Sequence, residues 1–340
     1  MYITTDTLKI STPKVHIHTL DESSIKELVN METGVIEYSK IKPELLQGIS
    51  GLKSIQIKPD NLILEFSAKI LGNDYFKGIS INTIHPALKA IENTGIIKFK
   101  DIQKVINSSD VCRVDVNSNV RLDNLNHTLC MLNKYSMVKD WQSDFRLDNK
   151  NKSISFKQKI KTYPLRIIGY CKESELLKSA NREFIIQHPK VHTFSKGIFR
   201  VETNVIGFKR IKQQLSINDN KLKTVLLSDE NVNLNVLNRI TKVRMKPEIK
   251  TFKSKKDLLA YNDAVIMLTE SNFDLSILES NLIQRVPSLA GSKNLYRYMK
   301  SYAEYANEIK NDIAKEKGLN CDVLLDELKN KLNESFTFNK

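Results

Sequence analysis

Strict alternation runs through LILEFSAKI (62–70), where Leu62, Leu64 and Phe66 fall on one side of an extended chain and Ile63, Glu65, Ser67 and Lys69 on the other. With LKSIQI before it and the turn residues KPDN between, this predicts a hairpin over 52–70. Residues 1–10 read as a first strand, and DESSIKELVNM (21–31) as a short helix. INTIHPALKAIENTG (81–95) has helical spacing, with Pro86 near its start and Gly95 past its end. VCRVDVNSNV (111–120) predicts a strand and LDNLNHTLCMLNKYS (122–136) a helix. Residues 153–177 predict two strands running into a helix. GIFRVETNVIGF (197–208) predicts a strand and FKRIKQQLS (208–216) a short helix. Beyond about residue 217 the pattern turns helical, through 255–272, 274–286 and 292–335. The expectation is an α+β fold over 1–216 with a central antiparallel sheet, and a smaller, mostly helical part over 217–340 behind a basic connector.

Charge narrows the choice of partner. Among 340 residues, 53 Lys and Arg stand against 39 Asp and Glu, a net charge of +14. Such an excess favours nucleic acid first and an anionic membrane surface second. A generally Lys- and Asn-rich background is the bland alternative. The cations concentrate in RITKVRMKPEIKTFKSKK (239–256), where Lys253, Lys255 and Lys256 are candidate phosphate contacts. No apolar run approaches the roughly 18 residues that span a bilayer, and MYITTDTLKIS lacks a signal-peptide core. The expected partner is therefore DNA rather than a membrane, in the cytoplasm. Four scattered cysteines without a CxxC pair speak against a zinc ribbon or a disulfide framework.

Three predicted strands carry polar chemistry among apolar neighbours. Asp115 lies in CRVDV, Glu202 in FRVET, and Tyr170 closes RIIGY. Two strands share the form Arg-Val-acid, Arg113-Val-Asp115 and Arg200-Val-Glu202. Positions i and i+2 of a strand face the same side, so each would put an arginine and a carboxylate on one face. A buried carboxylate needs a partner. Either each arginine pairs with its own acid, or Asp115 and Glu202 share a divalent cation such as Mg²⁺ or Mn²⁺ that draws charge from a phosphodiester. Tyr170 would then be the attacking group. A free phenol has a pKa near 10, so it needs a cation nearby, and Lys172 two residues on is placed to supply one. His16 and His18 in KVHIHTL offer a second metal motif, or only a polar strand end. Tyr298, Tyr302 and Tyr305 have the spacing of a packing stripe on one helix face.

These segments resemble a known family. TDTLKI, NLILEFSAKILGNDYFKGIS, VCRVDV, RIIGYCKESELL and IFRVETNVIGFKRIKQQL, in that order over about 4–216, are similar to the phage replication protein II/X family of rolling-circle initiators of phages and plasmids. The resemblance implies an HUH-like, Rep nuclease-type domain and a site-specific DNA endonuclease that nicks and rejoins a replication origin. On that reading Tyr170 forms a 5′-phosphotyrosyl bond, and Asp115 and Glu202 hold Mg²⁺ or Mn²⁺. Lys172 contacts the phosphate, and Glu175 orients Lys172 or serves as ligand or base. Arg113 and Arg200 bind backbone phosphates or pair with the acids. A host helicase and polymerase would be further partners. Three positions depart from the pattern: Asn117 stands where a second acid is expected, Cys171 replaces the usual Asp or Asn, and no second tyrosine follows Tyr170. The competing expectation is a DNA-binding replication regulator that kept the fold without the chemistry.

Overall fold

A computed structural model describes residues 2–20, 25–29, 36–41, 45–46, 48–135, 138–148, 151–242, 254–271, 274–317 and 321–337. Its strands are β1 (Thr5–Pro13), β2 (Ile17–Leu20), β3 (Ile25–Val29), β4 (Ile36–Ile41), β5 (Leu52–Ile57), β6 (Asn61–Ser67), β7 (Ile97–Phe99), β8 (Asp110–Arg121), β9 (Trp141–Leu147), β10 (Lys152–Gln158), β11 (Arg166–Cys171) and β12 (Ile198–Ile206). Ten of them form one sheet in the order β3-β4-β5-β6-β1-β8-β12-β11-β10-β9, and β2 pairs with β7 in a separate ribbon. Every neighbouring pair is antiparallel. The fold is α+β, as the patterning predicts.

The KPDN hairpin forms between β5 and β6, and Leu62, Leu64 and Phe66 are buried together with Leu8 and Ile10 of β1. Val114, Val116, Ile167, Val201 and Val205 continue this apolar face across the central strands. Helices Leu125–Asn133, Phe208–Leu215 and Val232–Thr241 pack against β8–β12. They bury Leu129, Leu132, Ile211, Leu215, Val236 and Leu237. Trp141 is buried at the start of β9.

Two expectations change. Within 21–31 the described residues form strand β3, not a helix. Ile25, Leu28 and Val29 have helical spacing, but five residues are too few to fix a period, and antiparallel pairing with β4 decides. The chain divides into Met1–Met245 with Leu324–Lys340 and a second unit Lys246–Val323, rather than at 216/217. The helices at Leu222–Leu226 and Val232–Thr241 bury Leu222, Val225, Leu226, Val232 and Ile240 in the first unit, so the first body extends past them. The end of the chain also returns to that unit, where Lys331 Nζ donates to the Arg121 carbonyl at 2.7 Å.

The second unit is helical, built from Lys255–Glu270, Leu275–Arg285 and Lys293–Lys317 around Tyr261, Ala264, Met267, Leu268, Leu278, Leu282, Leu295 and Tyr302. Tyr302 and Tyr305 of the expected stripe pack there, while Tyr298 and Tyr296 are exposed. No helix among the described residues is long and apolar enough to cross a membrane.

Candidate active site

Register decides which side chains meet. Tyr170 of β11 lies opposite Arg200 of β12, Glu202 lies opposite Asn117 of β8, and Asn204 lies opposite Asp115. Directly opposed residues of antiparallel strands point to the same side. Tyr170, Glu202 and Asp115 therefore share the polar face of the sheet with Arg113 and Arg200. Gly169 fixes the approach of β11 to β12, since a Cβ there would come within 2.5 Å of the Phe199 ring on the apolar face.

A bulge adds a group that alternation hides. Between Thr5 and Thr7 the register of β1 against β8 slips, and Asp6 is the extra residue. Bulges re-aim a side chain in this way. Asp6 would otherwise fall in phase with the core residues Leu8 and Ile10; instead it reaches Arg200. Arg200 is wholly buried, at 0% exposure. Its Nη1 donates to Asp6 Oδ1 at 2.5 Å and to the Tyr75 hydroxyl at 2.8 Å, and its Nε donates to Asn119 Oδ1 at 2.7 Å. Tyr75 arrives on the 3₁₀ segment Ala68–Lys77 and donates in turn to Asp6 Oδ1 at 3.1 Å.

The short helix Lys172–Leu176 starts directly after β11 and carries the next layer. Lys172, 2% exposed, donates to Glu175 Oε2 at 2.6 Å and lies 3.5 Å from the Tyr170 hydroxyl. Its ammonium sits 5.0 Å from the Tyr75 ring centre and 5.2 Å from that of Tyr170, within cation–π range. Asn181 donates to Glu175 Oε1 at 3.0 Å, and Lys69 donates to Asn181. The Tyr170 hydroxyl donates to Glu202 Oε2 at 3.1 Å.

Electrostatics separates the two acids nearest Arg200. Burial opposes the charge on Asp6, yet Arg200, Lys172 and Lys53 together lower its pKa to about 2. Burial raises Glu202 to about 7, reinforced by the negative charges of Asp6 and Asp115 and only partly offset by Arg200 and Lys172. Burial, then the Glu202 charge, pushes the Tyr170 phenol well above its usual value. Burial also lowers Lys172, with Arg200 adding to the effect and Glu175 opposing it.

Asp115 is held differently. Arg113 grips both its oxygens, Nε to Oδ1 at 3.0 Å and Nη2 to Oδ2 at 2.7 Å, and Asn204 adds a third hydrogen bond. Arg113 also reaches Glu65 at 3.2 Å. A divalent ion shared by Asp115 and Glu202 does not fit this arrangement, because both Asp115 oxygens are engaged by Arg113 and Asn204, and Glu202 Oε2 accepts from Tyr170. Among the described residues no three His, Cys, Asp or Glu side chains gather as a metal cage. His16 lies in the 3₁₀ turn Lys14–His16 and His18 is exposed on β2, outside the ten-stranded sheet. Of the connector cations, Lys256 is exposed on the helix Lys255–Glu270, Lys255 begins that helix, and Lys253 lies outside the described residues.

Sequence reasoning brings Tyr170, Lys172, Glu175, Arg113, Asp115, Arg200 and Glu202 forward, and all seven line or flank this face. It misses Asp6, Tyr75, Asn119 and Asn181. For Asp6 a signal existed, an acid in phase with Leu8 and Ile10. Tyr75 and Asn181 come from irregular segments without a period to read. A cavity of about 340 Å³ opens against Tyr170 and Glu202, rimmed by Arg146, Lys152, Arg166 and Lys178. No protein-family profile and no curated protein sequence matches the chain.

Proposed function

We propose that the protein is a DNA-nicking and strand-joining enzyme of the rolling-circle initiator type, with an HUH-like nuclease domain and Tyr170 as nucleophile. One observation carries the reading: the Tyr170 hydroxyl lies between a carboxylate and an ammonium, Glu202 at 3.1 Å and Lys172 at 3.5 Å, beside a cavity whose rim carries Lys152, Arg166 and Lys178, with Arg146 paired to Asp144. A base with a pKa near the working pH is the effective kind, and the Glu202 pKa of about 7 meets that need. Glu202 takes the phenolic proton as the Tyr170 oxygen attacks phosphorus. The bond from phosphorus to the 3′ oxygen breaks, and that oxygen takes a proton from solvent and leaves as a 3′-hydroxyl. Lys172 stabilises the negative charge that builds on the phenolic oxygen and the phosphate. Rejoining is the reverse: a 3′-hydroxyl attacks the phosphotyrosine, and Glu202 returns the proton to Tyr170.

The upward shift of the phenol pKa favours the second reading, a DNA-binding regulator without chemistry, since an unassisted phenol so placed is a poor nucleophile. One experiment separates the two. Wild type mixed with supercoiled DNA of its own replicon, with Mg²⁺ or Mn²⁺ and in EDTA, should give open circles and a detergent-resistant adduct at Tyr170. Tyr170→Phe should give neither while still binding DNA, at a stability cost of about 1 kcal/mol for the lost hydrogen bonds. A Tyr170→Phe protein that still nicks removes Tyr170 from the mechanism.

A further inference from the structure

A second, larger cavity of about 590 Å³ lies at the other side of β8. It is within the range of sites that hold a small molecule or a nucleotide. The strand pairing explains why it exists. β8 pairs with β1 only as far as Val116 opposite Thr5, but with β12 as far as Arg121 opposite Ile198. Past Thr4, whose carbonyl accepts from the Asn117 N–H at 3.0 Å, Ser118–Arg121 has a strand neighbour on one side only. By period-two alternation Asn119 presents its backbone N–H and C=O to the open side.

The walls suit an unpaired base. Phe76 from the Ala68–Lys77 segment and Phe194 from helix Pro189–Ser195 line the cavity with ring centres 4.8 Å apart. Phe194 is 52% exposed although it is a large apolar ring. The Arg121 guanidinium lies 5.4 Å from its centre, held by the Lys196 carbonyl at 2.9 Å and the Phe194 carbonyl at 3.4 Å. Lys190 is exposed on the same wall, while Lys77 is paired with Asp74 at 3.0 Å. Asn117, also in the lining, keeps a buried Oδ1 with no hydrogen-bond partner. A base donor would satisfy it, and an unmet buried acceptor is costly. Aromatic rings for stacking beside cations for the backbone are the means by which proteins bind single strands.

Position links this cavity to the candidate active site. Asn117 is opposite Glu202 and Asn119 is opposite Arg200, so β8, which walls the cavity, is two strand spacings from β11, about 10 Å, and the cavity lies just beyond it. We propose that it holds an unpaired base of the same DNA single strand whose phosphodiester lies at Tyr170, a proposal that rests on the function given above.

The test is fluorescence anisotropy with a labelled thymidine oligonucleotide of about a dozen residues, a duplex of equal length and an abasic oligonucleotide, all in the Tyr170→Phe background. Adding Phe194→Ala should weaken single-strand binding about tenfold and leave duplex and abasic binding unchanged. Phe194→Tyr should restore it, and Lys190→Gln should flatten the single-strand salt slope by about 0.7. Circular dichroism of each variant reports folding. Unchanged single-strand affinity in folded Phe194→Ala overturns the proposal, as does an equal loss for all three probes. Nicking by wild type is scored in parallel. Phe194-dependent binding without nicking keeps the cavity and refutes the role of Tyr170; nicking with an inert Phe194→Ala does the reverse.

Discussion

Strands β8 and β12 carry the same Arg-Val-acid form and use it in opposite ways. On β8, Arg113 closes on Asp115 two residues away with two hydrogen bonds. On β12, Arg200 ignores Glu202 and binds Asp6, Tyr75 and Asn119. The neighbours make the difference. Arg113 is 30% exposed, and Lys9, opposite it, bonds to the same Glu65 at 3.5 Å. Arg200 is buried against the Tyr75 ring, where the β1 bulge delivers the Asp6 carboxylate at 2.5 Å. Two residues on one strand face are separated by a full pleat, so the spacing permits an ion pair without imposing one. Cross-strand neighbours and burial choose the partner. One consequence bears on function: the β8 acid is neutralised, and the β12 acid is left to a tyrosine.

Removing Arg200 should break this contrast most severely. Arg200→Ala leaves Asp6 with Tyr75 as its remaining hydrogen-bond donor on that side and opens a large void. Breaking a buried ion pair from one side costs about 3–5 kcal/mol. Urea unfolding should show a loss of that order, and a loss below about 1 kcal/mol would mean that Arg200 is not buried as described. The same substitution should raise the Asp6 pKa from about 2, since Arg200 is the first of the cations that lower it.

Glu202 sharpens the contrast through pH. Its pKa rises from 4.5 to about 7 on folding, so between those values the native state binds the extra proton. Stability then falls as pH rises through this window, and at 1.36 kcal/mol per unit the drop is roughly 3 kcal/mol. Asp6 has the opposite sign: its contribution is present above about pH 4 and is lost as pH falls toward 2. Glu202→Gln should match wild type near pH 4.5 and exceed it by roughly 2–3 kcal/mol at pH 8, measured by urea unfolding in EDTA. Parallel pH profiles for the two proteins would show that Glu202 ionises normally.

What the sequence reveals of this site follows from the same physics. The strands bearing Asp115, Tyr170 and Glu202 are legible because apolar neighbours at period two frame each polar residue. Their common face follows once the strands are antiparallel neighbours. Partner choice is not legible, because Asp6 enters through a bulge and Tyr75 through a 3₁₀ segment in which Gly72 has a φ of 58°. β9 escapes detection because, although Trp141, Ser143 and Phe145 alternate with the exposed Gln142, Asp144 and Arg146, only Trp141 is buried outright and the apolar signal is weak. The final helix shows its apolar stripe, Leu324, Leu325, Leu328 and Leu332, but a stripe does not name the body it covers.

The smallest effect tests the β8 half of the comparison. Arg113→Ala removes two hydrogen bonds from Asp115 and one from Glu65, yet Asn204 still donates to Asp115, and Lys9 still pairs with Glu65 at 3.5 Å. Because Arg113 is partly exposed, its removal also lets water reach the Asp115 carboxylate. Charged hydrogen bonds are worth about 1.5–3 kcal/mol each when dry, and exposed ion pairs 0–1. The expected loss is about 1–2 kcal/mol, well under that of Arg200→Ala in the same unfolding assay. Burial already raises the Asp115 pKa and Arg113 is the first of the groups that hold it down, so without Arg113 it should rise further. In Arg113→Ala the pH at which the fall in stability levels off should therefore move upward. A loss equal to that of Arg200→Ala, with no movement of the pH profile, would show that the two motifs are energetically alike and that partner choice does not distinguish the strands.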